Sequence, residues 1–146
     1  MHKAYTGDMQ KFTGTKLVLM IGDKLVTILR DDIKGINWPG HWDLPGGGRE
    51  GDESPEQCVL RELREELGLA LSEADLIWKM GVPSVTKPGR RAFYFAARLP
   101  AGSDRGIVFG DEGQEWRLVP PDWFIAHPMA VPHFRDVVRD VALARI

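Results

Sequence analysis

Residues 47–69 read GGREGDESPEQCVLRELREELGL, and this stretch decides both the fold and the chemistry. Glu62, Glu65 and Glu66 lie three and four residues apart, so at about 3.6 residues per turn all three project from one face of a helix. Like charges at such spacing destabilise a helix by roughly 0.2–0.5 kcal/mol per pair, and something must offset that repulsion. Arg61 and Arg64 offset part of it, Arg61 lying four residues before Glu65. A hard divalent cation, Mg²⁺ or Mn²⁺, most simply offsets the rest, because it takes oxygen ligands and keeps waters and substrate phosphates in its shell. Leu60, Leu63 and Leu67 fall on a second face, suited to a core.

Both ends of this helix are marked. Ser54, Pro55 and Gln57 fit an N-cap, an N1 proline and the third position of a capping box, and Gly68 fits the glycine that ends a helix. The expected span is 55–67. Before it, Leu44-Pro45-Gly46-Gly47-Gly48 ends a short strand in a turn where backbone approaches a ligand with no Cβ in the way.

Gly47, five residues, Glu53, seven residues and then Arg61-Glu62-Leu63-Arg64-Glu65-Glu66-Leu67-Gly68-Leu69 make a stretch that resembles the Nudix box, GX5EX7REUXEEXGU with U aliphatic, at every fixed position. Just outside the strict pattern, Asp52 stands where many relatives have glycine, with Gly51 one place earlier. The resemblance implies a Nudix fold of the α/β (α+β) class, a mixed β-sheet sandwiched between helices. It also implies hydrolysis of a nucleoside diphosphate linked to another moiety. Carried over residue by residue, Glu62, Glu65 and Glu66 are implied as metal-binding glutamates, with the main-chain carbonyl of Gly47 as a further ligand. Glu53 and Arg61 are implied as the pair that orients them. A carboxylate must then accept the proton of the attacking water. Glu65, Glu66 and a glutamate from a later loop are the candidates.

That later loop is Gly110-Asp111-Glu112-Gly113-Gln114-Glu115-Trp116. It is similar to a Glu-Gly-Gln, Glu-Trp segment of the MutT-type branch, which cleaves nucleoside triphosphates to monophosphates. Glu112 matches the glutamate that reaches the metal cluster there, and is expected to be a further ligand or the base. The alternative is a solvated acidic turn.

The chain has 146 residues, 43% of them apolar, with a formal net charge of −2. That length supports one core, so residues 1–146 are read as a single domain with residues 1–15 as an N-terminal arm or edge strand. The charge offers no basic footprint for duplex nucleic acid, and the expected partner is a small-molecule nucleotide. No apolar run approaches the ~18–20 residues of a membrane span, and the N-terminus lacks a signal-peptide core. The single cysteine, Cys58, excludes an internal disulfide and suits a reducing cytoplasm; inside the helix it is read as packing. Monomer and homodimer are both open.

Apolar runs at 16–21 and 24–29 around Gly22-Asp23 predict a hairpin. A Gly/Pro/Trp loop then leads into Trp42-Asp43-Leu44. Further strands are expected at 76–80, 92–98 and 116–119, a basic loop at 83–91, and helices at 121–126 and 133–144.

Substrate choice must come from outside the box. Trp38 and Trp42 flank the loop entering the glycine turn and are candidates to stack on a base, a contact worth roughly 1–3 kcal/mol, although a buried Trp is the commoner case. Arg91, with Lys87 and Arg90, is a candidate for outer phosphates or a solvated hairpin tip. His41, His127 and His133 have no metal-ligand spacing and are read as surface or satisfied histidines. The leading expectation is a nucleoside triphosphate pyrophosphohydrolase, with oxidised purine nucleotides as a candidate class. ADP-sugars and dinucleoside polyphosphates are the runner-up substrates. A Nudix-fold sensor that binds without cleaving is the alternative class, and the intact glutamate set argues against it. A Nudix-type isomerase needs a catalytic Cys on another loop, and Cys58 is poorly placed for that.

Overall fold

The computed structural model describes residues 11–142. Most of the expected arm and the last two residues of the expected C-terminal helix lie outside them. The strands are β1 (Phe12–Ile21), β2 (Lys24–Leu29), β3 (Trp42–Asp43), β4 (Trp78–Pro83), β5 (Arg91–Leu99) and β6 (Glu115–Val119). The helices are α1 (Pro55–Leu67), α2 (Pro121–Ala126) and α3 (Pro132–Ala142). One sheet runs β3-β2-β1-β5-β4, with β6 also paired to β2. It is mixed: β1 and β5 are parallel, the other pairs antiparallel.

Alternation along β1 and β5 sends successive side chains to opposite faces, giving two cores. Leu17, Leu19, Phe93 and Phe95 pack with Val59, Leu63 and Leu67 of α1, while Val18, Met20, Tyr94 and Ala96 pack with Phe124, Phe134, Val138 and Val141 of α2 and α3. The sheet is therefore sandwiched between helices. On α1 the buried row is Val59, Leu63 and Leu67 with Cys58, and Leu60 sits only partly buried at its margin, which moves the apolar face from the expected one.

The site is set by a split in the sheet. β1 and β2 pair only beside their turn, at Met20↔Leu25 and Ile21↔Lys24, and then diverge. Residues 42–49 fill the gap: Trp42 and Asp43 pair with β2, while the Pro45 and Gly47 carbonyls accept from Leu17 and Thr15 N–H and Arg49 N–H donates to Thr13. The glycine loop is thus woven into the sheet. Gly46 lies at φ 130°, and a Cβ there would strike the Thr15 carbonyl, so glycine is required.

Two boundaries differ from expectation. β1 begins at Phe12, so residues 12–15 follow the strand alternative of the arm or edge strand expected there, held by pairing with β5. β4 begins two residues late, since the turn at Glu73–Asp75, capped by Ser72, takes up the chain after α1. Among the described residues no helix is long and apolar enough to cross a membrane.

Candidate active site

The α1 caps form as the sequence implies. Ser54 Oγ accepts from Gln57 N–H at 3.1 Å, Gln57 Oε1 accepts from Ser54 N–H at 2.9 Å, and Gly68 turns left-handed at φ 67°. Gly51, at φ 55°, makes the left-handed turn before the helix, so Asp52 beside it needs no such conformation.

Arg61 is the hub of the carboxylates. Its Nε and Nη2 donate to both oxygens of Glu53 at 2.6 and 3.1 Å, and Nη1 donates to Glu62 at 3.0 Å and Glu65 at 3.1 Å. Nη2 also donates to the Gly48 carbonyl at 2.8 Å, so helix and loop are tied by one guanidinium. The fork on Glu53 is bidentate and charge-assisted, the strongest form such a pair takes. That hydrogen bond from Arg61 holds the Glu53 carboxyl below its usual range. Burial pushes Glu62 upward, although Arg61 opposes it.

Glu66 is held differently. Its Oε1 accepts from Gly46 N–H at 2.8 Å, and it forms no ion pair within contact distance among the described residues. Burial pushes its carboxyl up to about 8, against the pull of Lys16 and Gly46 N–H. Glu62 and Glu66 line an acidic cleft with Gly46, Gly47 and, from across the fold, Glu112. Glu112 is brought there because Gly113 N–H donates to Asp31 and Gln114 to Leu29 and Arg30 carbonyls, which pin its loop to the end of β2.

Metal ions are implied by the box, so the donors must be tested. Among the described residues no three acidic, His or Cys side chains are gathered into a closed ligand cluster; the carboxylates turn instead to Arg61 and Gly46. The donor set still fits a hard cation: all are oxygens, Glu66 is half-buried with no cation in contact among the described residues, and a Cβ on Gly47 would sit 2.5 Å from Glu62 Oε1 and fill the cradle. The Gly47 carbonyl is already part of the sheet. It accepts from Thr15 N–H at 2.9 Å and faces the Cys58 thiol, so strand pairing already engages the expected ligand atom. The neighbouring Gly46 carbonyl is engaged as well, accepting from Lys16 Nζ at 3.2 Å.

A second cavity of about 300 Å³ opens beside the cleft and shares Lys16, Arg30, Asp43, Gly47 and Gly48 with it. Trp38 lines this cavity, held at φ 53°, a left-handed conformation uncommon for a bulky residue, with its ring 6.0 Å from that of His133. Trp42 does not. It is 5% exposed, edge-on to Trp123 and covered by Arg117, so its expected stacking role gives way to core packing. Arg91 likewise lies elsewhere: its Nη2 is beside Gly81 and the Phe93 ring, on the α1 side of the sheet, and Lys87 is the basic-loop residue that lines the cavity.

The sequence reading missed Lys16 and Asp43. Asp43 is 4% exposed and takes Lys16 Nζ at 2.9 Å and Arg30 Nη1 at 2.8 Å. Lys16 also donates to the Leu44 and Gly46 carbonyls, so its three protons clamp the loop that presents Gly46 N–H to Glu66. A charged residue opening an apolar strand was the available signal. Lys16→Met leaves Asp43 with Arg30 as its one ion-pair partner among the described residues and frees the loop, and is expected to cost about 2 kcal/mol, below the full penalty for breaking a buried pair. Thermal melting and turnover check this; a variant equal to the parent in both removes Lys16 from loop positioning.

Comparison with known proteins agrees with this architecture. The chain is 34% identical over 96 residues to an RNA pyrophosphohydrolase of Tolumonas auensis, covering 53% of this chain and 55% of that protein. It is 33% identical over 107 residues to the nucleoside triphosphatase NudI of Salmonella arizonae, covering 68% of this chain and 75% of that one. The chain thus spans little more than half the length of the first relative and three quarters of the second. In fold it is similar to the MutT protein from Methanosarcina mazei, with a TM-score of 0.70 at 22% identity over 90% of this chain and 93% of that one. A family model described as the NUDIX domain matches residues 13–141, from β1 into α3 and across the whole box, and the chain belongs to the Nudix family.

Proposed function

We propose that the protein is a divalent-metal-dependent pyrophosphohydrolase acting on a nucleoside triphosphate. The observation that carries this reading is the continuity of the acidic cleft with the aromatic cavity through Lys16, Arg30, Asp43, Gly47 and Gly48. A polyphosphate fits the first and a planar base fits the second, at the volume typical of small ligand pockets, about 300 Å³ upward. The relatives named as a nucleoside triphosphatase and a pyrophosphohydrolase support the same class.

Glu62, Glu65 and Glu66 would hold Mg²⁺ or Mn²⁺, with a carbonyl of the glycine loop. When bound, such a cation neutralises diphosphate oxygens and lowers the pKa of water. Arg61, fixed by Glu53, keeps Glu62 and Glu65 in line. Glu112, without a side-chain partner among the described residues, accepts the proton of the attacking water from the opposite wall. Trp38 closes the base side.

Purified protein with Mg²⁺ or Mn²⁺ is expected to release pyrophosphate from at least one (d)NTP or from oxidised dGTP. ADP-ribose, other nucleotide sugars and diadenosine polyphosphates are expected to be poorer substrates. A preference for these reassigns the substrate, and no cleavage of any compound rejects hydrolysis in favour of nucleotide sensing.

A further inference from the structure

Tyr94 is 5% exposed and its ring packs edge-on to Phe134 at 5.9 Å between centroids. A phenylalanine would fill that place equally well. The hydroxyl meets no donor or acceptor among the described residues, yet no buried side-chain oxygen is left wholly enclosed without a partner. The hydroxyl therefore keeps some accessible surface, and Tyr94 lines the cavity beside Trp38. The hydroxyl makes no bond within the described residues, so the packing of the fold alone gives no reason to keep it.

The surroundings define what would meet it. Parallel pairing sets Tyr94 opposite Lys16, at the junction of cavity and cleft. Lys16 spends its protons on Asp43 and two carbonyls, and Asp43 spends its oxygens on Lys16, Arg30 and Leu44 N–H, so neither is free to read a ligand. Burial, and then the charge of Asp43, push the Tyr94 hydroxyl up to about 12, so it stays a donor through the neutral range. Trp38, His133 and Phe134 wall the space around it with rings.

We propose that Tyr94 is a specificity-determining residue: its hydroxyl donates to an acceptor, a keto oxygen or ring nitrogen, on the base held beside Trp38. This rests on reading the cleft and cavity as a nucleotide site. A site built to hydrogen-bond a ring discriminates against rings lacking the acceptor, because its own polar group is then left unpaired.

The test is Tyr94→Phe, assayed with ATP, GTP, CTP and UTP, with the four matching nucleoside monophosphates titrated calorimetrically in parallel. The melting temperature should stay within about 3 °C of the parent or rise, since no internal bond is lost. The ratio of kcat/KM between best and worst bases should shrink about tenfold or more, through the best substrate alone. An equal loss on all four bases, an unchanged ratio, or a larger fall in melting temperature overturns the proposal. If no triphosphate is cleaved, the hydrolase reading fails, and the titrations decide Tyr94. Weaker binding of the preferred monophosphate by the variant supports it; equal binding or none by the parent overturns it.

Discussion

Glu66→Gln is expected to lower metal-dependent hydrolysis by about 10²-fold or more, the scale of losing one positioned carboxylate, while making the metal-free protein more stable at alkaline pH. The two effects share one cause. In the folded chain burial holds the Glu66 carboxyl at about 8, against 4.5 for an ordinary glutamate. A carboxyl raised in this way favours folding while it is protonated; that advantage is complete below about pH 4.5 and is lost as pH rises through about 8. Each pKa unit is worth about 1.4 kcal/mol, so ionising Glu66 in place costs on the order of 3–5 kcal/mol. Glutamine keeps the shape and the acceptor for Gly46 N–H without the charge. At about pH 8.5 in chelator the variant should melt about 5 °C or more above the parent, and at about pH 4.5 the two should coincide. Added Mg²⁺ should then stabilise the parent more than the variant, because a ligand that binds only the folded state raises its stability by mass action. Unchanged turnover removes Glu66 from the chemistry. Melting curves that coincide at both pH values remove its burial as a source of strain.

What the sequence showed and what it hid divide along the range of the contacts. The α1 carboxylates, their caps and the Gly46-Gly47 turn were readable because every relation lies within about 23 consecutive residues, where helix periodicity fixes geometry. Lys16 and Tyr94 become neighbours only through the parallel β1–β5 register, which joins residues 78 positions apart. No local pattern encodes that pairing. Trp38 and Trp42 looked equivalent in sequence; β3 pairing carried Trp42 into the core and a left-handed turn placed Trp38 over the cavity. His133, read as a surface or satisfied residue, lines the same cavity, where burial lowers its pKa and keeps the ring neutral. Gly47 was matched correctly to the box, but which way its carbonyl points depends on Thr15, outside the motif.

Arg61→Ala should be the most destabilising single change in the box. The guanidinium uses its five N–H groups on Glu53, Glu62, Glu65 and the Gly48 carbonyl, and its side chain is only 15% exposed. Carboxylates raise its affinity for the proton further, the Glu53 hydrogen bond foremost, so it is charged at every accessible pH. Removing it leaves Glu53 and Glu62, 17% and 13% exposed, as uncompensated neighbours of like charge. Breaking such a pair costs about 3–5 kcal/mol. The Glu65 arm adds little, since that side chain is 55% exposed and screened. The melting temperature of the metal-free variant should fall by about 10 °C, and activity should fall with it as Glu62 loses its anchor. Arg61→Lys separates charge from geometry. An ammonium keeps the charge but has three donors and no planar fork, so the bidentate bond to Glu53 is lost. That variant should recover much of the stability and little of the turnover. If lysine restores turnover fully, charge alone suffices and the orienting role of the Arg61–Glu53 pair is wrong; if alanine melts with the parent, the hub carries no weight in the fold.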